Sequence, residues 1–147
     1  MPKNQRLLLD NQLCFALYST SLSMTQLYKP LLEAVGLTYT QYLIMLILWE
    51  QDNLSLKEIA QKLSQQPGAL TPVVKRLEAD GLIQRQRSAE DERQLNIALT
   101  AKGHNLQTDA KDINQCMANQ CGLPEQEIID LKEKLNLLRK NLQNKSK

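Results

Sequence analysis

The sequence predicts a mainly α-helical chain with one small β-hairpin, and three observations carry that prediction. Apolar residues recur at helical spacing through most of the chain. Residues 53–82, NLSLKEIAQKLSQQPGALTPVVKRLEADGL, hold two short amphipathic stretches joined by a tight break. Directly afterwards the period falls to two in the runs Leu82 to Arg87 and Gln94 to Leu99, around a charged RSAEDER. Helix, turn, helix and hairpin in that order describe a winged helix-turn-helix. With 4% aromatics and 5 glycines in 147 residues, a large β core is excluded.

From Asp10 to Leu32, Leu13, Leu17, Met24, Leu27 and Leu31 form one stripe, so a long first helix is expected, with Asp10 as its cap and Pro30 as a kink or an end. Gly36 interrupts the pattern. Thr38 or Thr40 then caps a second helix, Gln41 to Gln51, whose nearly continuous apolar content marks it as the central core helix. Ser55 begins a third, with Glu58 at capping-box spacing. After a break at Ser64 to Pro67, a fourth runs from Gly68 to Asp80 and stops at Gly81; Pro72 is expected near its start, where a missing amide donor costs little. Beyond the hairpin, Thr100 caps a helix carrying Leu106, Ile113, Cys116 and Met117 on one stripe. Gly122 to Pro124 breaks it. Ile128, Leu131, Leu135, Leu138 and Leu142 then alternate steps of three and four as a heptad seam does, before a tail, KNLQNKSK, expected to fray.

A chain of this length is expected to be one domain, residues 1–147, with the winged helix-turn-helix over about 53–100 and dimerisation helices over about 8–33 and 100–143. Both terminal helices carry apolar stripes surplus to a minimal winged helix, and a two-fold homodimer would cover them while matching a pseudo-palindromic operator. The alternative is that these helices pack within one chain.

The net charge of +2 is too mild to announce nucleic acid, so any such reading depends on where the cations fall. They fall together: Thr71, Lys75 and Arg76 occupy a solvent face of the second helix of the motif, and the hairpin adds Arg85, Arg87 and Arg93. That clustering suits duplex DNA, a helix in the major groove and a hairpin arginine at the backbone or minor groove. Otherwise the same charges are a solvated face. Gln66, Gly68, Ala69 and Pro72, at the turn and the first turns of the helix, complete the candidate DNA-binding set on the helix side.

The longest apolar run, Tyr42 to Trp49, is far short of the ~20 residues that span a bilayer, and a cytoplasmic protein is expected. Cys14, Cys116 and Cys121 form no CxxC pair, and the single His104 cannot complete a ligand set, so no metal or other cofactor is expected. Cys14, in LDNQLCFALYS, would lie in or just beyond the first turn of the first helix, where free amides and the macrodipole favour a negative charge. A cysteine on an apolar face is more often plain core filling.

At LDNQLCFALYS, LTYTQYLIMLILWE, GALTPVVKRLEADGLI and RSAEDERQLNIALTAKG the chain resembles the MarR superfamily of winged-helix repressors, specifically its organic hydroperoxide sensor branch, the OhrR proteins. The resemblance is close over about residues 8–104 and looser beyond. It implies that Cys14 is the peroxide-reactive thiol, that Tyr28 and Tyr39 hydrogen-bond its thiolate, and that Asp91 and Arg93 are the wing-tip pair, Arg93 reaching the minor groove. It further implies that oxidised Cys14 is captured by a second thiol, Cys116 or Cys121 of another subunit or a low-molecular-weight thiol; Cys116 is the better placed of the two because it shares the stripe of Ile113 and Met117. In QQPGALTP the chain departs from its relatives, with Gln66 and Pro67 where an acidic residue and Ser are frequent.

The function expected is therefore a homodimeric repressor that leaves its operator DNA when an organic hydroperoxide oxidises Cys14, and not an enzyme. Two rivals are a repressor relieved by a noncovalent small molecule, with Cys14 inert, and a thiol peroxidase. Against the peroxidase, the chain has no thioredoxin-like βαβ pattern and no arginine next to Cys14.

Overall fold

In a computed structural model the chain is described over residues 4–88, 90 and 94–145. Two 3-10 turns, Gln5–Leu7 and Leu9–Asn11, precede α1 (Leu13–Glu33). Then come α2 (Tyr39–Glu50), β1 (Leu54–Ser55), α3 (Leu56–Leu63), α4 (Pro67–Ala79), β2 (Ile83–Arg87), β3 (Leu95–Leu99), α5 (Ala101–Asn105), α6 (Gln107–Gln120) and α7 (Glu125–Lys145). The contacts divide the chain into two compact units, Met1–Asn114 and Gln115–Lys147.

The expected cap at Asp10 is not formed. Asp10 sits inside the second 3-10 turn, and α1 begins three residues later with Gln12 at its N-cap. The reason is local competition: the Asn11 side chain donates to the Gln5 carbonyl, and the Gln12 side chain donates to the carbonyls of Arg6 and Leu8, holding the chain in tight turns up to Gln12. At the other end α1 continues through Pro30 to Glu33.

Thr38 caps α2 in a full capping box with Gln41, and Ser55 caps α3 in another with Glu58. Each reciprocal pair satisfies two amides that the helix leaves free. Tyr42, Ile44, Met45 and Leu48 of α2 are buried, with Ile59 of α3, Leu70, Val74 and Leu77 of α4, and Ile83, Ile97 and Leu99 of the sheet around them. This core packs the two helices of the helix-turn-helix against α2 and the sheet.

α4 starts at Pro67, one residue earlier than the periodicity predicts, because proline's preset φ suits the first helical position. Pro72 is therefore a full turn inside the helix, and Gly68 cannot receive the usual bond from it. The helix ends at Asp80, and Gly81 turns the chain out at φ +80°, a conformation glycine adopts without a side-chain clash.

The hairpin matches the alternating runs, Ile83 pairing with Leu99 and Arg87 with Leu95. Periodicity missed β1, whose two residues pair with Ile97 and Asn96 to make the sheet three-stranded, in the order β1-β3-β2. Two residues are too few to show a period. Thr100 caps α5 as expected, and the helix that follows is broken at Leu106.

One contact here needs glycine. The Trp49 indole donates to the Gly103 carbonyl at 2.9 Å, and a Cβ on Gly103 would overlap the Leu82 carbonyl.

In the second unit, α7 is helical to Lys145, so the helix takes in most of the tail expected to fray; Ser146 and Lys147 lie outside the described residues. Its seam residues Leu131, Leu135 and Leu142 are exposed.

Candidate nucleic-acid interface and thiol site

The reading face of α4 follows from its buried one. Leu70, Val74 and Leu77 turn inward, which leaves Pro72, Lys75 and Arg76 exposed and Thr71 half-buried. Gln66, Gly68 and Ala69, at the helix start, are exposed as well. Gln66 occupies the N-cap without a side-chain cap bond, Pro67 after it has no amide hydrogen, and the Ala69 amide donates to the Gln66 carbonyl at 3.0 Å. The Thr71 hydroxyl donates back to the Pro67 carbonyl at 3.3 Å. Arg76 makes a long contact of 3.6 Å to Asp80 and stays largely in solvent, an ion pair of little energetic weight.

Of the hairpin cations, Arg87 is exposed on β2, and Asp91 and Arg93 lie outside the described residues. Arg85 differs from the expectation of an open DNA contact. Its Nε and Nη2 donate to the two carboxylate oxygens of Glu78 at 3.2 and 3.0 Å. The hydrogen bond from Arg85, with its positive charge, holds the Glu78 carboxyl below the usual carboxylate range. Glu78 was not among the residues singled out from sequence; its spacing of three from Lys75 and seven from Thr71, on one stripe, was the available signal.

Cys14 is the second residue of α1 and is exposed. Around it Leu13, Leu17 and Tyr18 are exposed too, and farther along the same stripe so are Met24 and Leu27. One chain thus leaves the apolar face of α1 open to water, a face of the kind that another subunit covers.

Tyr28 and Tyr39, the two phenols that the family resemblance assigns to the Cys14 thiolate, lie together in a group of three. The Tyr28 and Tyr39 rings stack at 5.1 Å, and Tyr42 joins them at 5.6 Å from Tyr28 and 6.4 Å from Tyr39. Burial raises the pKa of Tyr39. Burial also raises that of Tyr42, against an opposing pull from the Asn114 side chain. Among the described residues no hydrogen bond reaches the buried Tyr42 hydroxyl. Tyr42 stands out in the sequence only as the start of the apolar run Tyr42 to Trp49. The three-residue step from Tyr39 to Tyr42 in LTYTQYL was the missed signal, since it sets both rings on one face of α2.

The tyrosine group does not meet Cys14 of its own chain. Tyr28 and Cys14 share α1, and at about 1.5 Å per residue their separation along the helix is about 21 Å.

In the second unit Cys116 is half-buried on α6, next in sequence to the buried Met117. Cys121 is exposed just past the helix end, its thiol donating to the Met117 carbonyl at 3.3 Å.

Comparison with known proteins agrees with this geometry. The transcriptional regulator SarA/Rot family matches residues 26–110. The organic hydroperoxide resistance transcriptional regulator of Bacillus subtilis (strain 168) is 47% identical over 125 residues, 85% of this chain and 83% of its own length. The crystal structure of AbfR of Staphylococcus epidermidis superposes with a TM-score of 0.80 at 36% identity, covering 98% of this chain and 99% of that one. Reduced AbfR bound to DNA gives a TM-score of 0.76 at 36% identity, covering 95% and 97%.

Proposed function

The chain belongs to the MarR-type winged-helix transcriptional regulators, in the organic hydroperoxide regulator branch, and from that premise we propose that it is a redox-sensing repressor whose Cys14 is the sensor. The observation that carries the reading is an exposed thiol at the second position of α1, on a chain 47% identical to an organic hydroperoxide resistance regulator.

Two copies bind a pseudo-palindromic operator, each with Thr71, Lys75 and Arg76 of α4 in the major groove and Arg93 of the wing in the minor groove. The exposed stripes of α1 and α7 are covered in the dimer. Because Cys14 stands about 21 Å from Tyr28 of its own chain, the phenols that donate to its thiolate come from the other subunit.

The chemistry balances without a cofactor. The Cys14 thiolate attacks an organic hydroperoxide; the S–O bond forms as the O–O bond breaks, the alkoxide leaves and takes a proton as an alcohol, and sulfur is left as a sulfenic acid, oxidised by two electrons. A second thiol, Cys116 or Cys121 of the other subunit or a low-molecular-weight thiol, then forms the disulfide with loss of water. For release, the change must cost at least ~4 kcal/mol, the lower end of the margin between specific and nonspecific DNA binding. A shift that moves both recognition helices supplies this; loss of one contact does not.

Titrating the protein with cumene hydroperoxide while following operator binding, with mass spectrometry on the same samples, tests the reading. DNA release tracks the oxidation of Cys14, and Cys14→Ser stays bound; release of Cys14→Ser by the peroxide overturns the sensing role. A second reading, relief by a noncovalent ligand, draws on an open cleft of about 670 Å³ between Val35, Leu82 and Leu106, with Arg76 and Lys102 at its edge. It is favoured if a phenolic ligand, and not the peroxide, releases both proteins equally.

A further inference from the structure

Thr71, Lys75 and Glu78 follow one another at steps of four and three along α4, so they share the stripe offered to DNA. A carboxylate there repels phosphate. Glu78 is engaged from the side by both donors of the Arg85 fork, at 3.2 and 3.0 Å, in the parallel arrangement that makes arginine–carboxylate pairs geometrically specific.

The pair also closes a loop. Glu78 lies in the last turn of α4 and Arg85 at the middle of β2, where it pairs in register with Ile97. Between them the chain turns at Gly81 and is tied from β3 and α5. The Thr100 hydroxyl donates to the Gly81 carbonyl at 2.6 Å, the Thr100 amide to that of Leu82 at 3.1 Å, and the Lys102 ammonium to that of Asp80 at 2.8 Å. These bonds hold the backbone of the turn. Only the Glu78–Arg85 fork, among the described contacts, joins a side chain on the reading stripe of the helix to one on the outer strand of the wing.

We infer that Arg85 is a positioning residue that braces the wing against the recognition helix through Glu78, and not a cation that binds a DNA phosphate. The inference rests on the DNA-binding reading above and assigns a division of labour within it: Lys75, Arg76 and Arg93 meet the duplex, while Arg85 sets the angle at which the wing and α4 arrive together. Glu78 is tolerated on the reading stripe because it holds that brace.

The two roles for Arg85 predict opposite signs. For a brace, Glu78→Ala weakens DNA binding although it removes a negative charge from the reading face. For a phosphate contact, the same change frees a cation and tightens binding. The probe is a fluorescein-labelled duplex selected from random-sequence DNA with the unaltered protein, titrated at several chloride concentrations.

Glu78→Ala, Arg85→Ala and the charge-preserving Arg85→Lys are each expected to lose about three- to fivefold in affinity, the range of a well-formed surface pair. The dependence of log K on log salt keeps its slope, the double alanine variant is no worse than either single one, and the exchange Glu78→Arg with Arg85→Glu recovers most of the loss. Tighter binding by Glu78→Ala, full affinity in Arg85→Lys, or a slope shallower by about 1 in Arg85→Ala, as the loss of one phosphate contact produces, overturns the brace. If the unaltered protein selects no duplex at all, the DNA-binding reading itself fails, a result separable from each of these. Thermal melts of the variants confirm that folded protein is being compared.

Discussion

Cys14 and Tyr28 lie on the same uninterrupted helix, α1, at a separation of about 21 Å along its axis. A thiolate and a phenol so placed cannot bond within one chain. In the function proposed above, Tyr28 and Tyr39 therefore serve the sulfur of another subunit.

Mixed dimers test this directly. Pairing a Cys14→Ser chain with a Tyr28→Phe, Tyr39→Phe chain leaves one complete site across the dimer, and half of the wild-type peroxide reaction at an unchanged rate constant is expected. Placing all three substitutions on one chain opposite a wild-type chain leaves the remaining Cys14 facing phenylalanines, and its rate constant drops by about tenfold or more, the scale of one lost charge-assisted hydrogen bond. Equal rate constants in the two pairings would place the phenols elsewhere.

The resolving thiol is read from nonreducing gels after cumene hydroperoxide. Cys116→Ser is expected to abolish the crosslinked dimer and Cys121→Ser to retain it, because Cys116 shares the apolar stripe of Ile113 and Met117 while Cys121 lies beyond the end of α6. A crosslinked dimer in Cys116→Ser that disappears in Cys121→Ser reverses the assignment. Monomer in the unaltered oxidised protein points to a small external thiol.

Arg93→Ala is expected to weaken operator binding by about 1–3 kcal/mol with no change in melting temperature. Isothermal titration and a thermal melt measure the two. Unchanged affinity removes the wing tip from DNA recognition.

Alkaline stability follows from the tyrosine group. Burial raises the pKa of both Tyr39 and Tyr42 above the 10.0 of a free phenol, so folding favours the protonated rings. That contribution is complete below pH 10.0 and is lost as pH rises through the raised values. Urea midpoints are expected to fall above about pH 10, and to fall less steeply in Tyr42→Phe. At neutral pH Tyr42→Phe is expected to be neutral or slightly stabilising, since it deletes a buried hydroxyl that has no hydrogen bond among the described residues.

Gly103→Ala is expected to destabilise the first unit by about 1–3 kcal/mol, the usual cost of overpacking. The new methyl meets the Leu82 carbonyl, which is backbone and held by the Thr100 amide, so it yields little. A melting temperature equal to wild type would mean that the α5 contact relaxes freely.

The elements of this chain were legible wherever their signal is local. Apolar spacing, a threonine cap at Thr38 or Thr40, the capping box at Ser55 and the glycine at Gly81 each act over three or four residues, and the helices and hairpin they predict are present, Thr38 being the cap. Local reading failed where a nearby competitor won, as at Asp10, where the amides of Asn11 and Gln12 favour 3-10 turns. It failed also at β1, where the element is defined only by its partner strand.

By itself the sequence determined the order of the elements, the cationic stripe of α4 and the thiol at the start of α1, because periodicity and capping are written in neighbouring residues. Only the tertiary structure decided which of those groups meet. It joined Arg85 to Glu78 across the turn and gathered Tyr42 with Tyr28 and Tyr39. Side chains from different elements are brought to within bonding distance by the buried core of α2, α3, α4 and the sheet, and no spacing along the chain encodes that closure.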